Sequence, residues 1–236
     1  MKVRADEMTR RGFLFRVGGT AGMLTLTGAN KILAQSQQPK KEEVEISPAE
    51  DLMREHGLLR RVLLIYEEWI KRLRAKRYAE IDTLTESSKI VRSFVEDYHE
   101  KLEEDYLFPR FLKAGKLVDL VTALLQQHQA GRKLTETTLQ LSDIESLKTS
   151  ANGQRLSRSL HDFIRMYRPH AAREDTILFP AFHELLPGEE YDKLGDAFED
   201  KENKLFGHEG FERMVERVAS IEKRLGIYDL GQFTPK

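Results

Sequence analysis

The stretch His99–Phe111, HEKLEEDYLFPRF, returns 71 residues later as His170–Phe182, HAAREDTILFPAF. Both copies carry His, Glu four places on, then Leu-Phe-Pro and, after one more residue, Phe. On a helix of 3.6 residues per turn, positions four apart lie about 40° apart around the axis and one turn apart along it. His99 and Glu103 therefore share a helix face, as do His170 and Glu174. Two more histidines extend the pattern. His56 and His128 are 72 residues apart, and each is followed four places later by an arginine, Arg60 or Arg132. Each lone His precedes its H-x-x-x-E by 43 or 42 residues. The chain reads as two related halves, each a helix with a lone His followed by a helix with H-x-x-x-E.

Hydrophobic spacing supplies the helices. Ser47-Pro48 followed by Glu50 has the form of a helix start: a capping hydroxyl, a first-turn proline and an early acid. From there to about residue 76, Leu52, Leu59, Val62, Leu63, Tyr66 and Ile70 recur at helical period. Further periodic runs cover about 80–112, 117–141 and 156–186, closed by Ala114-Gly115, by SDIESLKTSANGQ and by Pro187-Gly188. Four long amphipathic helices with short connections predict an all-α, up-down-up-down four-helix bundle over residues 48–186. Residues 187–236 predict one or two added helices packed on the bundle, with Phe211, Met214, Val215, Val218, Ile221 and Leu225 as their apolar stripe.

Four imidazoles and two carboxylates buried in a bundle are prohibitive unless something compensates them. A pair of metal ions does so. A purely structural polar network is the alternative. Imidazole and carboxylate donors suit iron or manganese and also accommodate zinc and copper. The chain has no cysteine, which excludes thiolate ligands, iron–sulfur clusters, disulfides and Cys nucleophiles. Around the site, Tyr106 and Tyr167 fall on the stripe expected to face the metals, as outer-shell donors or as plain core. Arg60 and Arg132 are expected in solvent or paired with Glu67 or other acids. Glu55 and Glu100, next to ligand histidines, are expected to point away, and His161, His183 and His208 to be surface or structural. Pro109 and Pro180 cannot continue a regular helix, so each predicts a kink or local unwinding.

His56, His99 with Glu103, His128, and His170 with Glu174, each pair trailed by Leu-Phe-Pro, resemble the hemerythrin-like (HHE cation-binding) family in its H…HxxxE…H…HxxxE variant. The resemblance covers about residues 48–186. It implies a four-helix bundle holding two iron ions in an oxo- or hydroxo-bridged non-heme centre, with manganese or zinc ranked behind iron. The four histidines would be terminal ligands, and Glu103 and Glu174 would ligate or bridge. Two departures from the oxygen-carrying members matter. Arg132 stands where they place a further His, which leaves one iron more open to an exogenous ligand, water or a neighbouring side chain. Glu174 and Asp175 both stand near the position of their final Asp, so either acid qualifies as ligand; Glu174 is favoured because the first copy uses +4, although Glu104 mirrors Asp175 at +5. The implied function is binding of iron and a small oxidant or diatomic ligand, O2, NO or peroxide. Enzymatic peroxide decomposition or NO handling on the same centre is the alternative, and a metal-free structural bundle the second alternative. No other ionisable constellation suited to acid–base work is evident, which favours binding over turnover.

The N-terminus reads as an address. Arg10-Arg11 precede Gly12-Phe13-Leu14, a short Gly-broken apolar run and the small-residue end at Ala34. This resembles a twin-arginine signal peptide over residues 1–34, cleaved after Ala34 or Ala29, with a polar linker at 35–47. It implies the twin-arginine export machinery as partner, export in the folded state, and a periplasmic or extracytoplasmic location. The apolar run is shorter than the roughly 20 residues a membrane helix needs, so no stable span is expected in the mature chain. Formal net charge is −1, which gives no reason to expect nucleic acid as partner.

Overall fold

The computed structural model of the protein describes residues 46–235. The expected signal segment 1–34 and most of the 35–47 linker lie outside the described residues. Helix α1, Pro48–Arg74, starts as its sequence dictates: Ser47 is extended, and its Oγ accepts the Glu50 N–H at 3.3 Å. Acids in the first turn (Glu50, Asp51) and bases in the last (Lys71, Arg72, Arg74) both suit the helix dipole.

Helix α2 runs over 81–114 and is closed by Gly115, whose φ of 64° is the left-handed geometry that glycine adopts without strain. Helix α3 is Val118–Leu141 and helix α4 spans 150–185. Each long helix packs on two neighbours, α1 on α2 and α4, and α3 on α2 and α4, which closes the bundle. Helix α4 starts at Ser150, earlier than the apolar period suggests, because its first turns are polar and largely exposed. Asn152 holds that start by donating to the Ser146 carbonyl at 2.8 Å.

Neither α2 nor α4 is uniformly α-helical. Val91–His99, Glu103–Leu107 and Glu174–Leu178 are π turns. Phe108 N–H bonds to Glu103 O and Phe179 N–H to Glu174 O, one residue further back than in an α-helix. The expected unwinding at Pro109 and Pro180 therefore takes the form of a widened turn just before each proline. It shifts the backbone away from a ring that would otherwise clash with the carbonyl four residues back.

Two further helices follow, α5 (Gly188–Phe206) and α6 (Gly210–Leu225). Both pack on α1. Phe211, Met214, Val218, Ile221 and Leu225 are buried, and Val215 is half-buried. Polar contacts fasten the same face. Tyr191 Oη accepts the Ala49 N–H at 3.1 Å, Arg61 Nε donates to Glu222 at 3.0 Å, and Arg72 Nη2 donates to the Leu225 carbonyl at 3.0 Å. Among the described residues no helix is long and apolar enough to cross a membrane.

Candidate metal centre

One helix supplies each histidine: His56 from α1, His99 from α2, His128 from α3 and His170 from α4. All four are almost fully buried, and Glu103 and Glu174 are completely so. The imidazoles form two pairs. His56 and His99 have ring centroids 4.7 Å apart and Nε2 atoms 3.1 Å apart, while the His128 and His170 centroids are 5.0 Å apart. The carboxylates span the pairs. Glu103 turns Oε1 to His99 Nε2 at 3.9 Å and Oε2 to His128 Nε2 at 3.4 Å. Glu174 turns Oε1 to His170 Nε2 at 3.1 Å and Oε2 to His56 Nε2 at 3.3 Å. None of these contacts has hydrogen-bond geometry, and neither oxygen of Glu103 or Glu174 has a hydrogen-bond partner. Two buried carboxylates left in that state are costly in a metal-free fold. Four inward Nε2 atoms and two spanning carboxylates are a donor set that cations satisfy, so the residues present fit a pair of metal ions.

The outer nitrogens are all engaged. His56 Nδ1 meets Asp175 at 2.6 Å and His128 Nδ1 meets Glu104 at 3.1 Å. His99 Nδ1 meets Glu55 at 2.7 Å and His170 Nδ1 meets Gln127 Oε1 at 2.8 Å. Bonds of this kind fix ring orientation and leave Nε2 as the free donor atom. The arginines one turn beyond the lone histidines clamp the same acids: Arg60 pairs with Asp175, and Arg132 with Glu104 at 2.7 Å. The repeated unit is therefore larger than H-x-x-x-E. The residue before each lone His holds the next helix's His, and the acid five after each H-x-x-x-E histidine holds the lone one.

Several sequence expectations change here. Of the two candidate acids, the favoured Glu174 faces the cluster, whereas the alternative Asp175 is taken up by His56 Nδ1 and Arg60. Glu55 does not point away: its carboxylate reaches across from α1 to His99 on α2. Glu100 likewise turns inward, accepting Tyr167 Oη at 2.5 Å and pairing with Arg132 at 2.8 Å. Tyr106 leaves the site altogether. It lies half-buried against Phe198 of α5, centroids 5.4 Å apart, with the Lys201 ammonium over its ring. Tyr167 stays adjacent, its ring edge-on to His170 at 5.2 Å, but its hydroxyl is committed to Glu100. Arg60 and Arg132 do pair with acids as one of the expected alternatives had it, but with Asp175 and Glu104; Glu67 pairs with Arg168. His161, His183 and His208 are exposed and away from the cluster.

The metal-free electrostatics follow from burial and pairing. Burial drives the Glu103 carboxyl well above its usual range, and the neighbouring Glu174 charge adds to it. Burial acts on Glu174 too, but the His170 and His56 imidazoles outweigh it and hold that group well below the usual range. Burial works against a charged His56, yet Asp175 and Glu174 lift it to about 9. His128 goes the other way, lowered to about 4 by burial in spite of Glu104. Glu104, against its partial burial, is held at about 2 by His128, Lys101 and Arg132.

A groove of about 320 Å³ runs between α1 and α4 beside the cluster. Leu59, Leu63, Tyr167 and Ala171 form its apolar floor, and Arg60, Arg61 and Arg168 are also on its wall. Tyr167 lines this groove and also packs edge-on against His170, with ring centroids 5.2 Å apart.

Residues 47–182 match the hemerythrin HHE cation binding domain. The chain belongs to that family. Among curated proteins it is 46% identical over 195 residues to Uncharacterized protein Rv1995 of Mycobacterium tuberculosis, covering 83% of this chain and 76% of that one. Uncharacterized protein Mb2018 of Mycobacterium bovis is similar to the same extent, 46% over 195 residues and the same shares of each chain. No solved structure matches. Family membership and the buried His/Glu cluster agree on a cation-binding bundle. The residues that sequence reasoning missed, Glu55, Gln127 and Glu104, did leave a signal. It was the side chain just before each lone His and the acid at +5 in both copies.

Proposed function

We propose that the protein is a non-heme di-iron protein that binds a small oxidant or diatomic ligand, O2, NO or peroxide, at a His4Glu2 centre. His56 and His99 would hold one iron, His128 and His170 the other, and Glu103 and Glu174 would serve both. The observation that carries the reading is the pair of buried carboxylates without hydrogen bonds, each with one oxygen toward either histidine pair. When bound, the two irons supply a redox couple and an exchangeable position for the small ligand.

The chain's own part is positional. Asp175, Glu55, Glu104 and Gln127 fix the imidazoles, and the arginines hold two of those acids in turn. The apolar-floored groove shares Tyr167 with the surroundings of His170 and would receive a small molecule there, and its arginines favour neutral or anionic species over cations. The acids and amide that border the histidines are all occupied with their rings, which supports binding over acid–base turnover. Iron analysis tests the reading, with two irons per chain expected. Optical titration of the loaded protein with NO, azide and peroxide then gives saturable spectral changes. Sustained consumption of peroxide or NO would move the assignment to the enzymatic alternative. An iron-free folded protein would return it to a structural bundle. Export by the twin-arginine route belongs to the same proposal, and periplasmic recovery that is lost on Arg10→Lys/Arg11→Lys tests it.

A further inference from the structure

The two halves of the cluster are related by the internal repeat, but the groups behind them are not equal. Behind the His56/His99 pair stand two carboxylates, Asp175 at 2.6 Å and Glu55 at 2.7 Å from Nδ1. Behind the His128/His170 pair stand one carboxylate, Glu104 at 3.1 Å, and one neutral amide, Gln127 at 2.8 Å. The repeat places Glu55 and Gln127 at the same position, immediately before the lone histidine of each half. The countercharges widen the difference. Asp175 is paired with Arg60, whereas Glu104 is paired with both Lys101 and Arg132.

A carboxylate accepting the Nδ1 proton of an imidazole draws the ring toward imidazolate and raises the basicity of Nε2; a neutral amide orients the ring with far less donation. We infer that Glu55 and Gln127 make the two metal positions inequivalent, so that the His56/His99 position binds its cation first and more tightly. The His128/His170 position is the weaker and more readily emptied one. The inference rests on the proposed dinuclear reading and assigns a positioning role to Glu55 and Gln127, neither of which faces the metals. Changing such a partner typically alters metal affinity by about 10- to 100-fold, so the two steps should be resolvable.

The test is calorimetric titration of the metal-free full chain with Co(II), followed by the cobalt optical bands. Two steps are expected for the wild type, separated by about tenfold or more. His170→Ala should keep the tight step and His99→Ala should lose it. Glu55→Gln should weaken the tight step alone and bring the two together. Gln127→Glu should strengthen the weak step alone, a gain that damaged folding cannot imitate, and the exchanged pair Glu55→Gln/Gln127→Glu should reverse the order. Two equal steps in the wild type, or variants that shift both steps alike, would overturn the inference while leaving the dinuclear reading intact. Failure of any cobalt to bind the wild type would overturn both.

Discussion

Gly131 has room for nothing larger than hydrogen: a Cβ there would stand 2.1 Å from Tyr167 Oη. That closeness lets the tyrosine reach Glu100 past α3. In an ordinary helix interior Gly→Ala stabilises by up to about 1 kcal/mol. Here Gly131→Ala should destabilise by about 1–3 kcal/mol through overpacking, read as a lowered urea midpoint, and an unchanged or raised midpoint would show that Tyr167 moves freely. At the cluster, His99→Ala and His170→Ala should each bring iron below two per chain, and either variant retaining two irons would remove that histidine from the ligand set. The inward six were legible because His and Glu at i, i+4 are bound to share a helix face whatever the rest of the fold does. Glu55, Gln127 and Glu104 were only half legible: the repeat marks their positions but not which ring each one reaches. They act between helices, and reasoning along a single helix turns a neighbour at ±1 about 100° away from the ligand face. The same limitation misplaced Tyr106, whose position is decided by Phe198 on a helix outside the repeat.

The long helices could be read at element scale because apolar period 3.6 survives in any bundle. The π turns could not, since a widened turn leaves His99 and Glu103 still close to one face. The early start of α4 was hidden for a different reason: exposed first turns carry no apolar period. The stripe on α6 shows what an unambiguous period delivers, since five of its six positions are buried against the bundle. Ile221 is completely buried there. Ile221→Ala should cost about 2–5 kcal/mol by chemical denaturation, equally in metal-free and loaded protein, with iron stoichiometry unchanged. Loss of iron in that variant would mean that α6 supports the centre and does not merely cover α1.

Across the whole molecule, protons and metal compete for the same cluster. In the metal-free protein His56 is raised from 6.5 to about 9, chiefly by Asp175 and Glu174 acting against burial. A base raised in the folded state contributes stability that is complete below its unfolded value and lost as pH climbs through the folded one. The metal-free protein should therefore lose about 3 kcal/mol between pH 6.5 and about 9 from this group. His128, lowered to about 4, has the opposite sign: its contribution is present above 6.5 and lost as pH falls toward 4. On the proposed reading, iron held at His56 Nε2 would displace its proton, so the alkaline loss should disappear in the loaded protein. Parallel urea-midpoint profiles for the two forms would place the metal elsewhere. The most direct measurement is the iron content of the purified full chain after anaerobic loading and gel filtration, set beside its Glu103→Gln/Glu174→Gln variant. Two irons per wild-type chain and fewer than one in the folded variant are expected; equal iron in both, or none in a folded wild type, would contradict a dinuclear centre built on these carboxylates.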